Sequence, residues 1–512
     1  MKKKTMRRKA LYACLAVAAL SAAALGAPDS DLRLVDAAKN KDREAVRSFI
    51  KQHADANAAE PDGSTALQWA AHWDDKDMAD ELIRSGANVN AANEYGVTPL
   101  WLACTNGSAA MVEKLAKAGA NSNAALAESG ATALMMCART GNAEAVKALL
   151  AHGANPNAKE TRRGQTALMW AVEEGHLDAA RALLEKSADV HARAKSGFTP
   201  LMFAARVGDV ELARTLIAAG ADVNESTPDD GSALVVASAS GREVLGIFLL
   251  EKGANPNAAD GLGFSALHYA VQKGLSDISA VEYTSSLSPP PDLAEMVTAL
   301  LAHGANPNAR IAKDYPPHSR APFRQTGPIS LVGATPFFLA ASAGDAALMR
   351  TLKAGGADPL FATRDKTTAL MVAAGMGRVQ DFLPGEEARA LEAVQLAVEL
   401  GVDVNAAAAN GQTALHSAAF TGVNAMVKFL AEKGANVNAK DRVGQTPWSI
   451  AEAMSPVVNN QGALRLHQTT ADLLLQLGAT TISASEFKPP REAGSVRQYG
   501  RDDAQKEKVA DQ

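Results

Sequence analysis

Cysteine and aromatic residues are both scarce in this sequence, and charge of neither sign dominates it. Three cysteines in 512 residues and an aromatic content of 5% exclude a small disulfide-rich scaffold. Lysine and arginine together number 51 against 56 aspartate and glutamate residues. The chain therefore lacks the basic excess that is typical of nucleic-acid-binding proteins, and we expect no nucleic-acid partner.

Long hydrophobic runs are also rare, and the one that stands out lies at the start of the chain. Six basic residues precede the apolar run Ala10–Leu25, which ends in the small residues Ala24 and Gly26. This pattern is typical of a secretory signal peptide, and the run is too short and too rich in alanine to favour a permanent membrane anchor. We predict a signal over residues 1–26, a periplasmic or secreted protein without a stable anchor, and a mature net charge of −11 from 45 basic and 56 acidic residues.

Signatures of catalysis are missing as well. The sequence contains no His-Glu-x-x-His, no Walker loop, no Cys-x-x-Cys and no Gly-x-Ser-x-Gly, and its ten histidines are scattered. We therefore predict a protein that is not an enzyme and that needs neither a cofactor nor a metal.

What the sequence does have is a repeat. A hydroxyl residue, then Pro or Ala, then Leu, Phe or Trp recurs at Thr65, Thr98, Thr132, Thr166, Thr199, Ser232, Ser265, Thr335, Thr368, Thr413 and Thr446. We call these residues the anchors. Most successive anchors are 33 or 34 residues apart, with two wider gaps of 70 and 45. Such a period is typical of a solenoid of stacked supersecondary units.

The residues at fixed offsets within each unit predict two helices. The anchor suits a helix N-cap, because its hydroxyl oxygen can accept a hydrogen bond from a free N–H of the first turn. Glycine stands nine residues later in most units, for example at Gly141, where a left-handed helix end favours it. A second apolar helix follows and ends at Gly-Ala-Asn or Gly-Ala-Asp, as at Gly86-Ala87-Asn88. The fold class predicted is all-α.

These units resemble ankyrin repeats, whose motif runs Gly-x-Thr-Pro-Leu-His-x-Ala-Ala-x-x-Gly and closes with Gly-Ala-Asp-Val-Asn. The resemblance covers roughly residues 31 to 480 and implies a solenoid of about 12 helix-turn-helix units with a curved concave face. The array is placed at residues 27–482, with an N-terminal cap at 31–60. Insertions are predicted at 276–292, 310–333, 380–391 and 456–466, and a disordered tail at 483–512.

The resemblance also implies where a partner protein binds. In ankyrin repeats the contacts come from the turn tips before each anchor and from the first helix, seven and eight residues after the anchor. The residues selected in this way are His72, Trp73, Tyr95, Asn106, Arg139, Arg162, Arg163, Lys195, Phe198, Arg206 and Lys273. Arg310, Tyr315, Arg320 and Phe323 are added from the insertion at 310–333, because a long loop beside the tips can reach over the concave face.

Two groups of these residues suggest the chemistry of a partner. His72, Trp73 and Tyr95 place rings at the N-terminal end, where exposed aromatic side chains favour an interface hot spot. The basic residues Arg139, Arg162, Arg163, Lys195 and Arg206 favour an acidic partner segment. The alternatives are that Trp73 packs against its neighbouring repeat, that Glu173 and Glu174 pair with nearby arginines, and that the 310–333 loop is a tolerated insertion.

The function expected is therefore a monomeric, exported scaffold that binds another protein without catalysis. A regulator or protector of one periplasmic enzyme, or a secreted effector acting on a host protein, fits the same pattern, and an enzyme built on the insertions is the least favoured alternative.

Cys104 and Cys137 lie on consecutive first helices, which should stack about 8 to 10 Å apart. Because a disulfide requires Cα atoms within about 7 Å, we predict two buried thiols.

Overall fold

The protein forms two compact units, residues 1–188 and residues 189–512, in a computed structural model. The structure describes residues 32–271, 294–314, 329–378, 381–383, 385–454 and 466–487. The predicted signal over residues 1–26 and the insertion at 276–292 lie outside these ranges, as does the insertion at 456–466 except for residue 466. Among the described residues, no helix has the length and apolar character needed to cross a membrane.

The first unit consists of five helix pairs. Its helices, in chain order, are α1 Arg33–Lys39, α2 Arg43–Lys51, α3 Ala66–His72, α4 Lys76–Arg84, α5 Pro99–Thr105, α6 Ala109–Lys117, α7 Ala133–Thr140, α8 Ala143–Ala151, α9 Ala167–Glu173 and α10 Leu177–Leu184. The first helix of each pair packs on the first helices of the adjacent pairs. Among the second helices, α2 packs on α4, α6 on α8 and α8 on α10. The pairs therefore form two parallel layers of helices.

The second unit continues the pattern with seven pairs. Its helices are α11 Pro200–Val207, α12 Val210–Ala218, α13 Ala233–Ala239, α14 Glu243–Glu251, α15 Ala294–Ala302, α16 Pro336–Ser342, α17 Ala346–Ala354, α18 Ala369–Ala373, α19 Glu386–Glu399, α20 Ala414–Thr421, α21 Asn424–Glu432, α22 Pro447–Ala451 and α23 Gln468–Gln476. Residues 266–271, whose pair partner is α15, are also helical. The strands described are β1 Ser226–Thr227 and β2 Gly231–Ser232, which pair in one short hairpin. The all-α expectation and the count of about 12 pairs are confirmed.

The anchors begin the first helices for the predicted reason. Thr98, Thr166 and Thr335 each have extended backbone, and each side-chain oxygen accepts a hydrogen bond from the backbone N–H three residues later. Gly141, nine residues after its anchor, ends α7 in the left-handed conformation at φ 78°. The local sequence therefore sets both ends of the helix.

The core lies between the two layers of helices. Leu100, Leu134 and Leu168, two residues after their anchors, are fully buried, and so are Leu115 and Leu149 on the second helices. A leucine buried in this way contributes about 1.5–3 kcal/mol relative to an exposed one. The core is thus a row of similar contacts repeated from pair to pair.

Cys104 and Cys137 form a disulfide, so the prediction of two free thiols is wrong. Their Cα atoms are 4.6 Å apart, and both residues are fully buried. The error was to treat the distance between helix axes as a distance between facing Cα atoms. Each Cα lies about 2.3 Å from its own axis, so helices about 8–10 Å apart can bring facing Cα atoms to roughly 4–5 Å.

The predicted insertion at 380–391 is partly helical. Helix α19 has 14 residues where most other second helices have nine, and it begins at Glu386. The Glu386 carboxylate pairs with the Arg378 guanidinium at 2.8 Å and accepts a hydrogen bond from the Leu383 backbone N–H. The extra residues therefore lengthen an existing helix at its N-terminal end.

The start of the predicted tail is also described. Residues Ala484–Glu486 form a 3-10 turn, and Glu486 lies 3.2 Å from the Lys440 ammonium. The ion pair connects this turn to Lys440 in the last repeats. Residues 488–512 lie outside the described ranges.

In most of the described repeats, an asparagine side chain connects one repeat to the next. Asn90 shows the pattern: its Nδ2 donates to the Gly119 carbonyl at 3.1 Å, and its Oδ1 accepts from the Asn121 N–H at 2.6 Å. The asparagines that donate in the same way are Asn57, Asn123 and Asn157 in the first unit and Asn224, Asn257, Asn308, Asn405 and Asn438 in the second. The closing asparagine of the motif therefore joins neighbouring repeats, and we call this row of side chains the ladder.

Leu360 interrupts the ladder, and this gives a test of what a rung contributes. Leu360 is 58% exposed, yet its N–H bonds to the Asp358 carboxylate as the equivalent Asn257 N–H bonds to Asn255. Leu360→Asn should therefore complete a rung and stabilise the second unit by about 1 kcal/mol, seen as a higher midpoint in urea unfolding. Asn257→Ala is the matched control and should destabilise by a similar amount. Loss of stability in Leu360→Asn would contradict the assignment.

Candidate partner-binding surface

The turn tips that precede the anchors are held rigid by side chains within them. Asn93 Oδ1 accepts hydrogen bonds from the backbone N–H groups of Tyr95 and Val97, at 3.1 and 3.0 Å. Glu160 does the same for Arg162 and Arg163, each at 2.7 Å. Side-chain hydrogen bonds thus support the backbone of both tips.

Successive tips of the first unit are joined through their backbones. The Ala127 N–H donates to the Tyr95 carbonyl at 3.1 Å, and the Thr161 N–H donates to the Ser129 carbonyl at 2.7 Å. Gly96 permits the first of these contacts, because a Cβ there would lie 2.7 Å from the Ala127 nitrogen and the residue has φ 78°. We call this row of tips, at residues 93–97, 126–131 and 160–165, the tip ridge.

A cluster of rings lies at the end of α3. Trp73 stacks on Trp69 with centroids 6.1 Å apart, and the His72 ring meets both indoles edge-on. The Lys41 ammonium lies 3.9 Å from the centroid of the Trp73 ring, and the Trp73 indole N–H donates to the Lys39 carbonyl at 3.2 Å. Burial, followed by the nearby Lys41 charge, lowers the pKa of His72 below its usual value, so this ring is neutral at pH 7.

This geometry assigns Trp73 a structural role. Lys39 and Lys41 belong to the N-terminal pair, whereas the three rings belong to the next one, so the cluster fastens the cap to the array. The structure therefore agrees with the alternative in which Trp73 packs against the neighbouring repeat. Tyr95 differs, because 55% of its surface is exposed at the tip ridge.

Comparison with known proteins identifies the family of the chain. The sequence model described as "Ankyrin repeats (3 copies)" matches residues 34–125, 117–194, 134–227, 201–311 and 386–479. The chain belongs to the ankyrin repeat family. An ankyrin repeat-containing protein of Schizosaccharomyces pombe is 35% identical over 57 residues, which are 11% of this chain and 28% of that protein. The matched region thus spans about a quarter of the length of this curated relative.

The basic residues expected on the ankyrin repeat surface fall into two groups in the first unit. Arg139 is already engaged: it lies 3.4 Å from the Glu174 carboxylate and 5.6 Å from the centroid of the Trp170 ring. Arg162 and Arg163 are exposed on the tip ridge, and neither forms an ion pair within the described part of the chain. The alternative that Glu173 and Glu174 pair with nearby arginines is therefore confirmed for Glu174, which pairs with Arg139.

In the second unit, the expected residues Phe198 and Arg206 form one small group. The Phe198 and Phe203 rings meet edge-on at 5.6 Å, and the Arg206 guanidinium lies 4.9 Å from the centroid of Phe203 and 5.8 Å from that of Phe198. Lys195 is exposed at the same tip. The side chains of Phe198, Arg206 and Lys195 together form a second candidate contact surface.

Two other residues that were selected from the sequence, Asn106 and Arg310, form hydrogen bonds with backbone carbonyls of the array. The Asn106 amide donates to the Ala71 and His72 carbonyls at the end of the preceding first helix, at 2.9 and 2.7 Å. Arg310 bonds the Gly333 and Ala362 carbonyls at 3.2 and 2.6 Å, so it fixes the base of the 310–333 insertion. Lys273, Tyr315, Arg320 and Phe323 lie outside the described residues.

Sequence reasoning missed Trp69 and Glu160. Trp69 stands four residues after its anchor, one helical turn before the contact positions, and its indole N–H donates to Glu60 at 2.9 Å. The spacing of Trp69 from its anchor was sufficient to identify it from the sequence. Glu160 gave no such signal, because its importance comes from three backbone hydrogen bonds that exist only in the folded turn.

Trp73→Ala and Tyr95→Ala should separate the structural ring from the exposed one. Trp73→Ala removes the Trp69 stack, the Lys41 contact and a hydrogen bond, and should destabilise the first unit by about 2 kcal/mol. Tyr95→Ala, its matched control, should change stability by less than about 0.5 kcal/mol. Thermal unfolding followed by circular dichroism measures both. Equal melting temperatures for the two variants would mean that the ring cluster does not fasten the cap.

Proposed function

We propose that this protein is a non-enzymatic scaffold that binds another protein after export from the cytoplasm. Membership of the ankyrin repeat family supports the binding role, because these repeats are protein–protein interaction modules. Monomeric state and location in the periplasm or outside the cell belong to the same proposal. Stacked repeats suit this task, because each compact unit offers side chains from several successive repeats.

The tip ridge is the observation that carries the binding role. Its backbone is fixed by Asn93, Glu160 and the hydrogen bonds between tips, so little conformational entropy is lost when a partner binds. Tyr95 is a large ring exposed on this rigid support, which is the type of residue that dominates binding energy at protein interfaces.

The disulfide supports the export part of the proposal. Disulfides persist in oxidising compartments and are rare in the bacterial or eukaryotic cytosol of mesophiles. The Cys104–Cys137 bond lies inside the array, where both residues are fully buried. A stable buried disulfide agrees with the basic and apolar pattern of residues 1–26.

Two measurements on cells that make the protein test the proposal. N-terminal sequencing should start near Ala27, and recovery of the intact chain from Met1 in the cytoplasm would refute export. Cross-linking in the native compartment, followed by mass spectrometry, should attach a protein to the chain in stoichiometric amounts. Tyr95→Ala should weaken this capture and Asn157→Ala, a ladder control, should not. Absence of any attached protein would refute the scaffold function.

A further inference from the structure

We propose that Arg162 and Arg163, here called the two-arginine tip, bind an acidic segment of the partner protein. The inference rests on the proposed scaffold function and names the chemistry of the partner at one place on it. Both arginines are exposed, and neither is in an ion pair within the described residues. Many other basic side chains of the first unit, such as Arg43, Arg47 and Lys114, are paired with carboxylates.

The tip is built so that its own acid does not neutralise the arginines by contact. Glu160 is 5% exposed, and its carboxylate accepts backbone N–H groups of Arg162, Arg163 and Gln165 at 2.7, 2.7 and 3.0 Å. Burial alone would raise the pKa of Glu160, but the hydrogen bonds from Gln165, Arg162, Arg163 and Gly164 outweigh it and lower the pKa. The Glu160 carboxylate is therefore used to fix the turn, while both arginine side chains are exposed to solvent.

Arginine at this place favours a carboxylate partner. A guanidinium forms two parallel hydrogen bonds with a carboxylate, and these are stronger than bonds between neutral groups. Glu94 and Glu128 are exposed on neighbouring tips of the same ridge, so a polyanion lying along the whole ridge would be repelled there. This arrangement favours a peptide whose acidic residues are confined to one end over a nucleic acid or an anionic membrane.

The tip ridge also sets the length of the segment. Tyr95 and the two-arginine tip are separated by one intervening tip, which is in backbone contact with both. Two repeat spacings of about 8–10 Å make the distance roughly 20 Å. An extended peptide covers that in about six residues. The expected segment thus has an apolar or aromatic residue at the Tyr95 end and two or more carboxylates about six residues away, with no acid between them.

A binding measurement with the full chain tests this inference. The probe is a fluorescein-labelled 12-residue peptide with one leucine-tyrosine pair and four glutamates at the opposite end, measured by fluorescence anisotropy. Arg162→Glu with Arg163→Glu should weaken binding at least tenfold. The matched control, Lys51→Glu with Lys186→Glu, makes the same change in net charge at exposed sites elsewhere in the first unit and should change binding less than twofold. Circular dichroism confirms that both variants fold.

Several outcomes would overturn the inference. Equal weakening by both double variants would show a response to net charge alone. Tighter binding of a 12-residue oligothymidylate, or of vesicles containing phosphatidylglycerol, than of the peptide would assign the tip to another class of ligand. If the cross-linked partner is still captured in full by Arg162→Glu with Arg163→Glu, the scaffold function stands and the two-arginine tip is not part of it.

Discussion

Acidification from pH 7 to pH 4 should lower the free energy of unfolding of the second unit by about 3 kcal/mol for each of two buried histidines, His268 and His416. Burial lowers the pKa of each to about 4. The unfolded chain binds a proton at each histidine below about pH 6.5, whereas the folded chain does not do so until about pH 4. The stability is therefore complete above pH 6.5 and is lost progressively as the pH falls from 6.5 to 4.

Both histidines are buried because they belong to the helix caps. His416 Nδ1 accepts the Thr413 backbone N–H at 3.1 Å, and its Nε2 donates to the Gln445 carbonyl at 3.2 Å. Protonation of Nδ1 would remove the acceptor and place a charge in the core. The same physical argument applies to His268, whose Nδ1 accepts the Ser265 N–H.

The chain itself supplies the control for this prediction. Gln68 stands at the equivalent position of the first unit, where its Oε1 accepts the Thr65 N–H and its Nε2 donates to the Val97 carbonyl, both at 2.6 Å. His268→Gln with His416→Gln should therefore preserve stability at pH 7 and flatten its decline below pH 6.5. Urea unfolding at several pH values gives the difference between wild type and variant, which cancels the contribution of the carboxylates. An unchanged pH dependence would show that these histidines do not cause the acid sensitivity.

Removal of the disulfide should have the second large effect, confined to the first unit. The bond joins residues 33 positions apart. Closing a loop of this size in the unfolded chain corresponds to roughly 3–4 kcal/mol in the chain-entropy account. Cys104→Ala with Cys137→Ala should lower the stability of the first unit by about that amount. Tryptophan fluorescence in urea measures this loss of stability, because four of the five tryptophans lie in the first unit: Trp69, Trp73, Trp101 and Trp170.

Reduction provides an independent measurement of the same effect. Dithiothreitol should leave the folded protein oxidised, because both cysteines are fully buried, and should act quickly only in denaturant. The reduced protein should then unfold at the same urea concentration as the double alanine variant. Two titratable thiols from Cys104 and Cys137 in the denatured, unreduced protein would contradict the structure.

The helix boundaries and the arrangement of repeats were predictable from sequence, because each depends on neighbouring residues. A threonine N-cap, a glycine in the left-handed region and a leucine two residues after the anchor act within one turn of helix. The role of Asn90 as a ladder rung was not predicted, because its partner Gly119 is in the next repeat. The candidate site divided in the same way: Tyr95 and Arg162 were predicted as exposed tip residues, whereas Trp73 and Asn106 proved to make contacts between repeats.

By itself, the sequence determined that this chain is a stack of ankyrin repeats with a given set of helices, since period, caps and apolar spacing are local properties. Only the tertiary structure decided which of the chosen residues are exposed and which make contacts between repeats. The disulfide, the ring cluster beneath the cap and the carboxylate of Glu160 all depend on distances of a few ångströms between residues that are far apart in sequence or joined only by a folded turn. Spacing along the chain does not encode such distances until the repeats are packed together.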